Sequence, residues 1–214
     1  MSIAQPVQGQ RFLLRNLDWS QYRTIADAVG ESHVRLAYDR GNLEMMTLSH
    51  DHERWSKLIG QFIEVITDEL DIPRQSGGST TFNREDLERG LEPDQCYYLA
   101  NEPLVRDKTD IDLNVDPPPD LAVEVEISRS AVNRMGIYAA IGVPEVWRFD
   151  GEELRVFQLT DAPGYAQADR SRHFPMLPLA EVQRFLRQRG QTDETTLVRS
   201  FRNWVREQQA RGWK

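Results

Sequence analysis

Pro119-Asp120-Leu121-Ala122-Val123-Glu124-Val125-Glu126-Ile127 is the stretch whose reading decides the fold. Leu121, Val123, Val125 and Ile127 alternate with Ala122, Glu124 and Glu126. That is the period of a β-strand, which turns successive side chains to opposite faces. One face is apolar and β-branched and suits a core; the other carries two carboxylates. Like charges so placed repel unless a cation or a proton lies between them. The pair therefore reads either as part of a metal site or as two solvent-facing glutamates that meet only water.

Upstream, Pro117-Pro118-Pro119 delivers the chain stiffly extended into this strand, after a polar and poorly patterned region from Asn101 to Asp116. Before that, Glu92-Pro93-Asp94-Gln95-Cys96-Tyr97-Tyr98-Leu99 reads as a strand with Glu92, Asp94 and Cys96 on one face. Pro93 is tolerable near a strand start. Thr80-Thr81-Phe82, after Gly77-Gly78, reads as another strand. Ser49 to Leu70 is an amphipathic helix, with Trp55, Ile59, Phe62 and Ile66 in four-three-four spacing. His50 and His52 lie at its start but do not share a face, so they do not read as a helical metal pair. His52 reads as a site residue, a cap or a core residue. A hairpin precedes this helix: His33 to Tyr38 and Leu43 to Leu48 flank the turn-forming Asp39-Arg40-Gly41-Asn42, and Glu44 lies in its second strand. Asp18 or Ser20 caps a helix that Gly30 stops, and the first ten residues read as loose.

Downstream, Ser130 suits the N-cap of a helix carrying Val132, Met135, Tyr138, Ala139 and Ile141, which Gly142 stops. Glu145 to Phe149 and Glu153 to Leu159 flank Asp150-Gly151, a second hairpin signal. Gly164 to Phe174 adds a last strand, and Leu179, Val182, Phe185 and Leu186 mark a helix stopping at Gly190. The final helix carries Leu197, Phe201, Trp204 and Val205 on one face and a stripe of Arg199, Arg202 and Arg206.

Composition narrows the classes. The 214 residues suffice for one domain with a sizeable core. No run approaches a membrane span or a secretory leader, so a soluble, cytoplasmic protein is expected. The single Cys96 excludes an internal disulfide and a zinc-thiolate cluster. Net charge is -8, against an evenly basic nucleic-acid binder. Arg184 to Lys214 nevertheless holds eight basic residues against three acidic ones. An acidic body with a basic tail is compatible with phosphate contacts on one side. Glycine-rich phosphate loops, a Gly-x-Ser-x-Gly elbow and paired cysteines are missing, and no organic cofactor is expected.

What remains are carboxylates on strands: Glu44, Asp94, and Glu124 with Glu126. If they converge at one end of a shared sheet, an oxygen-only ligand set favours Mg²⁺ or Mn²⁺. Such an ion polarises a phosphodiester and lowers the pKa of bound water.

Three linked segments carry a resemblance: Glu92 to Tyr98, Pro118 to Ile127, and Ile137-Tyr138-Ala139-Ala140-Ile141-Gly142-Val143-Pro144-Glu145-Val146-Trp147-Arg148. Together they resemble a large bacterial family described as putative restriction endonucleases, with the restriction-endonuclease-like, or PD-(D/E)XK, fold. The likeness covers about residues 20 to 160. It implies an α/β core with a mixed β-sheet flanked by helices, and a divalent-metal site. Asp94 corresponds to the first metal-binding aspartate and Glu124 to the acid of the second half-motif, while Glu44 matches an acidic residue of the early hairpin. The motif's lysine would stand where Glu126 stands; in this family it has moved into the following helix, at the position of Arg134. Arginine can grip a phosphate bidentately, but it does not deprotonate and cannot be a general base.

The expected organisation is a flexible segment over 1–17, the nuclease domain over 18–177 and a basic helical extension over 178–214. The expected function is Mg²⁺- or Mn²⁺-dependent endonucleolytic hydrolysis of DNA. Asp94 and Glu124 would hold the metal, Glu126 or Glu44 would complete the shell or orient water, and Arg134 would stabilise charge on the phosphate. Arg199, Arg202 and Arg206 are candidate DNA-backbone contacts, and a homodimer is the expected assembly. The alternative is a non-catalytic nucleic-acid-binding or dimeric assembly module that keeps the fold.

Overall fold

A computed structural model describes residues 9–30, 34–162 and 164–213. In chain order the elements are β1 (Arg11–Leu14), α1 (Trp19–Val29), β2 (Val34–Asp39), β3 (Asn42–Thr47), α2 (His50–Glu69), β4 (Gln75–Ser76) and β5 (Phe82–Arg84). There follow β6 (Arg89–Leu91), β7 (Gln95–Tyr98), α3 (Glu102–Val105), β8 (Leu121–Val125), α4 (Arg134–Ile141) and β9 (Glu145–Phe149). The chain ends with β10 (Leu154–Leu159), β11 (Tyr165–Ala168), α5 (Leu179–Leu186) and α6 (Glu194–Ala210).

The strands form two sheets rather than one. An antiparallel sheet has the order β1-β3-β2-β6-β5, and a six-stranded sheet has the order β11-β10-β9-β8-β7-β4. The second is mixed: β8 and β9 run parallel, joined through α4, and the other pairs are antiparallel. The mixed α/β architecture expected from the sequence is present.

Pro93 separates the sheets. Of the stretch Glu92 to Leu99, expected as one strand, only Gln95–Tyr98 forms β7, and Glu92 follows directly on the end of β6. Glu92 N–H donates to Leu36 O in the first sheet, and Asp94 N–H donates to Val123 O in the second. Between them Pro93 has no N–H to give to either ladder, so the chain changes partner there.

The strand β8 is buried on both faces, so Glu124 is not solvent-facing. Leu121, Val123 and Val125 face α2, α5 and α6 within one core cluster, while Ala122 faces α4 and the first sheet in another. The two C-terminal helices are built into that first core. Phe201 of α6 stacks on Phe62 of α2 at 4.2 Å between ring centroids, and Phe185 of α5 meets Phe201 edge-on.

Several local expectations shift. Arg11–Leu14, within the segment expected to be loose, pair with Leu43–Met46 of β3. Residues 1–8 and His33 lie outside the described residues. Asn133, not Ser130, caps α4, because Ser130 Oγ is committed to Glu44 and to Val132 O. The 80–82 strand is displaced to Phe82–Arg84, α5 ends at Leu186 before Gly190, and a short helix, α3, interrupts the polar region. The first hairpin turns through Arg40 and Gly41, both at positive φ (43° and 87°). Strand twist favours this geometry, and the Arg40 N–H bond to Glu88 O holds it. No helix among the described residues is long and apolar enough to cross a membrane.

Replacing Phe201 with alanine should cost about 3–5 kcal/mol, the usual penalty for emptying a well-packed aromatic site. Urea unfolding measures it; a loss below about 1 kcal/mol would mean that α6 is not part of the main core.

Candidate active site

A crevice opens outside the carboxyl ends of the parallel pair β8 and β9, the usual place for a ligand in an open α/β sheet. Its cavity of about 720 Å³ is lined by Glu124, Glu126, Arg129, Arg134, Arg148 and Asp150, among others. With Glu152, the lining holds four carboxylates against three arginines.

Glu124 is placed by strand alternation on the α4 side of β8. Arg134, the first residue of α4, meets it there: Nη2 donates to Oε2 at 2.9 Å, and Nε lies 2.5 Å from Oε1. The Nε approach is an ion-pair contact rather than a directed hydrogen bond, since this N–H has no hydrogen-bond partner. Arg134 Nη2 also donates to Glu92 O at 2.6 Å. Tyr138 lies one helical turn on, at i+4, and its hydroxyl donates to the same Oε2 at 2.7 Å. Glu124, Arg134 and Tyr138 are all buried. Burial pushes the Glu124 carboxyl above its ordinary value; Arg134 pulls it back, and the nearby Asp94 charge adds to the rise.

Asp94 stands at the head of β7, beside the end of β8. Its Oδ2 accepts from Val125 N at 2.7 Å and lies 3.3 Å from His52 Nε2. His52 Nε2 is also 2.9 Å from Val125 O, so a proton on Nε2 is shared between carboxylate and carbonyl. Ser49 Oγ, capping α2, accepts from His52 N and sets the ring's starting point. Burial works against the Asp94 charge, but the His52 hydrogen bond and the charges of His52 and Arg134 hold its carboxyl below the usual range. Burial likewise opposes the His52 cation, and Asp94 overcomes it to raise the imidazole. The two buried carboxyls are therefore pushed in opposite directions.

The other sequence candidates are arranged differently. Glu126 lines the crevice, paired with Arg148 at 2.7 Å and accepting from Ser130 N at 3.1 Å. Glu44 is buried in the first sheet, where Oε1 takes Arg11 Nη1 at 2.5 Å and Ser130 Oγ, and Oε2 takes Ala131 N at 2.7 Å. Both its oxygens thus clasp the loop that walls the crevice. Arg11 grips the same loop through Ser128 Oγ and O. The arginine stripe of α6 lies over the opposite face of the sheet from Glu124. Arg202 and Arg206 are paired there with Glu69 of α2. Asp120, directly after Pro119, is spent on Leu99 N and Asn101 N.

The structure adds residues that the strand pattern did not single out. Arg148 lies opposite Glu124 in the parallel register, a pairing that appears only once β8 and β9 are neighbours. Tyr138 was detectable in principle by its spacing from Arg134. His52 was recognised at the helix start, but its partner Asp94 is 42 residues away in sequence.

Among the described residues, no group of three or more His, Cys, Asp or Glu side chains is arranged to hold a metal ion. The Asp94 and Glu124 carboxylates fit a hard cation in kind, and one or two carboxylates suffice for Mg²⁺, which keeps several waters. Among the described residues, no hydrogen bond engages Asp94 Oδ1, whereas both Glu124 oxygens are in contact with Arg134.

A family model described as Uma2, Putative restriction endonuclease, matches residues 19–187, from α1 through α5 and including every residue of the crevice named above. No curated protein matches the chain.

The His52–Asp94 pair sets a pH window. Asp94, depressed below 3.8, stabilises the fold above that pH and loses its effect as pH falls through its folded value. His52, raised above 6.5, stabilises below 6.5 and loses its effect as pH rises through its folded value. The stability margin of the wild type over His52→Gln should therefore be widest between about pH 4 and 6.5. Urea unfolding across pH reads it, and a margin that does not change with pH would rule out the charged pair.

Proposed function

Because the chain belongs to the Uma2 family, described as putative restriction endonucleases, we propose that it is a metal-dependent endonuclease that hydrolyses phosphodiester bonds of DNA. The observation that carries this reading is that Asp94 and Glu124, from the neighbouring β7 and β8, come together beside Arg134, with Glu124 and Arg134 on the lining of the crevice. The charge of that crevice supports it. A lining with more carboxylates than arginines does not by itself attract a polyanion, so a cation is needed between protein and phosphate.

Asp94 and Glu124 would hold Mg²⁺ or Mn²⁺. When bound, such an ion polarises the phosphodiester and lowers the pKa of its bound water. Asp94 is oriented for this by Val125 N–H and His52, which leave Oδ1 free of hydrogen bonds among the described residues. Arg134 supplies a permanent positive charge at the cavity for the phosphate, and it does not act as a base. Glu126, half-buried on the cavity wall, is the carboxylate positioned to orient a water molecule. Glu44 holds the wall itself, through Ser130 and Ala131. Arg129 and Arg148, on the cavity lining, replace the α6 stripe as the backbone-contacting candidates.

A non-catalytic DNA-binding module is favoured by one observation: Glu124 is already satisfied by Arg134 and Tyr138. Incubation with supercoiled plasmid and single-stranded DNA in Mg²⁺ and Mn²⁺ separates the readings. The wild type should nick or cut, and Asp94→Asn and Glu124→Gln should each lower the rate about a hundredfold or more, at least the loss typical of disturbing a metal ligand's support. Metal-independent products, or equal rates in the variants, would remove the site assignment; DNA binding without cleavage would select the module.

A further inference from the structure

The place beside Glu124 where a metal ion would act already holds a cation, the guanidinium of Arg134. It touches both carboxylate oxygens, is anchored to Glu92 O, and is buried. A divalent ion brought to Glu124 with Arg134 in place would stand next to a desolvated like charge, where repulsion is strong because little water screens it. Asp94 presents no such obstacle, since its Oδ1 is free of hydrogen bonds among the described residues.

Arg134 also has somewhere to go. It is the first residue of α4, and it lines the crevice together with its neighbours Asn133 and Met135. Arg129 and Arg148 line the same space. A phosphate oxygen entering there offers the guanidinium a planar, bidentate partner equivalent to the carboxylate it would leave. The helix N-terminus beside it also favours an incoming anion.

We propose that Arg134 is an exchangeable counter-cation: it occupies Glu124 in the metal-free protein and transfers to a phosphate oxygen of the nucleic acid when a divalent cation takes Glu124. Metal and phosphodiester then bind with positive cooperativity, each raising the affinity of the other by the same factor. This rests on the proposed metal site at Asp94 and Glu124. It assigns to Arg134 a role that a fixed structural ion pair would not have.

The test reads binding, not turnover. Calorimetric titration with Mn²⁺ alone should show Arg134→Ala binding about tenfold more tightly than the wild type, or more, a coupling of ordinary allosteric size. Arg134→Lys, whose point charge cannot span both Glu124 oxygens, should fall between them. Fluorescence anisotropy of a labelled duplex, in Ca²⁺ against EDTA, should show the metal raising wild-type affinity about tenfold or more. That increment should shrink in Arg134→Ala. Removing Arg134 leaves Glu124 as a buried unpaired charge, so thermal unfolding provides a separate check. Mn²⁺ should raise the Tm of Arg134→Ala more than that of the wild type.

Equal or weaker Mn²⁺ binding by both Arg134 variants, with the wild type still binding and Asp94→Asn not, would overturn the exchange and leave the metal site standing. No Mn²⁺ binding by wild type or variants would remove the metal site and the exchange together.

Discussion

Two carboxylates buried where the carboxyl end of β8 meets the head of β7 are the constraint to which much of the rest of the molecule answers. Taking an ion out of water costs several kcal/mol even after relaxation, and it is tolerated only where opposite charge and hydrogen bonds are already in place. Here those partners come from different elements. Arg134 and Tyr138, one turn apart on α4, reach Glu124, while His52 from the first turn of α2 and the Val125 N–H reach Asp94. Their convergence requires α2 and α4 to be seated on opposite faces of one sheet, which the two apolar clusters accomplish.

The small antiparallel sheet takes part in this arrangement. Pro93 is where the chain passes from one sheet to the other, and Arg134 is tied to the carbonyl just before it. From the same sheet, Glu44 and Arg11 hold Ser128, Ser130 and Ala131, so that the crevice wall is fixed from outside the sheet that bears the carboxylates. A buried acid that resembled a catalytic residue in the sequence is thus engaged with loop backbone and with an arginine of the N-terminal strand. The crevice it shapes holds more carboxylates than arginines, and the physical content of the proposed metal dependence is that a nucleic-acid phosphate needs a cation there.

Much of this was legible beforehand. The alternation in Leu121–Val125, the spacing along α2, the Asp150-Gly151 and Gly41 turns and the Gly142 stop are local properties, and local steric preference carries them into the fold unchanged. Arg134, ten residues beyond Glu124, was indicated only by the family resemblance, as the place to which the motif's basic residue has moved. What local pattern could not supply was partner choice. The pairs Glu44–Arg11, Asp94–His52 and Arg202–Glu69 join residues 33, 42 and 133 positions apart.

The sequence by itself determined the mixed α/β class and the central acidic strand, and its resemblance to a known family pointed to Asp94, Glu124 and Arg134 as a set. It did so because strand and helix periodicity, turn chemistry and motif spacing are written in neighbouring residues. Only the tertiary structure decided that Glu124 is buried rather than solvated, that it is closed by Arg134 and Tyr138, and that Arg202 and Arg206 of α6 are bound to α2 on the far face. Those outcomes depend on which charges meet after long stretches of chain are brought together in a low-dielectric interior. A one-dimensional pattern carries the residues for such a meeting but not the geometry that makes it.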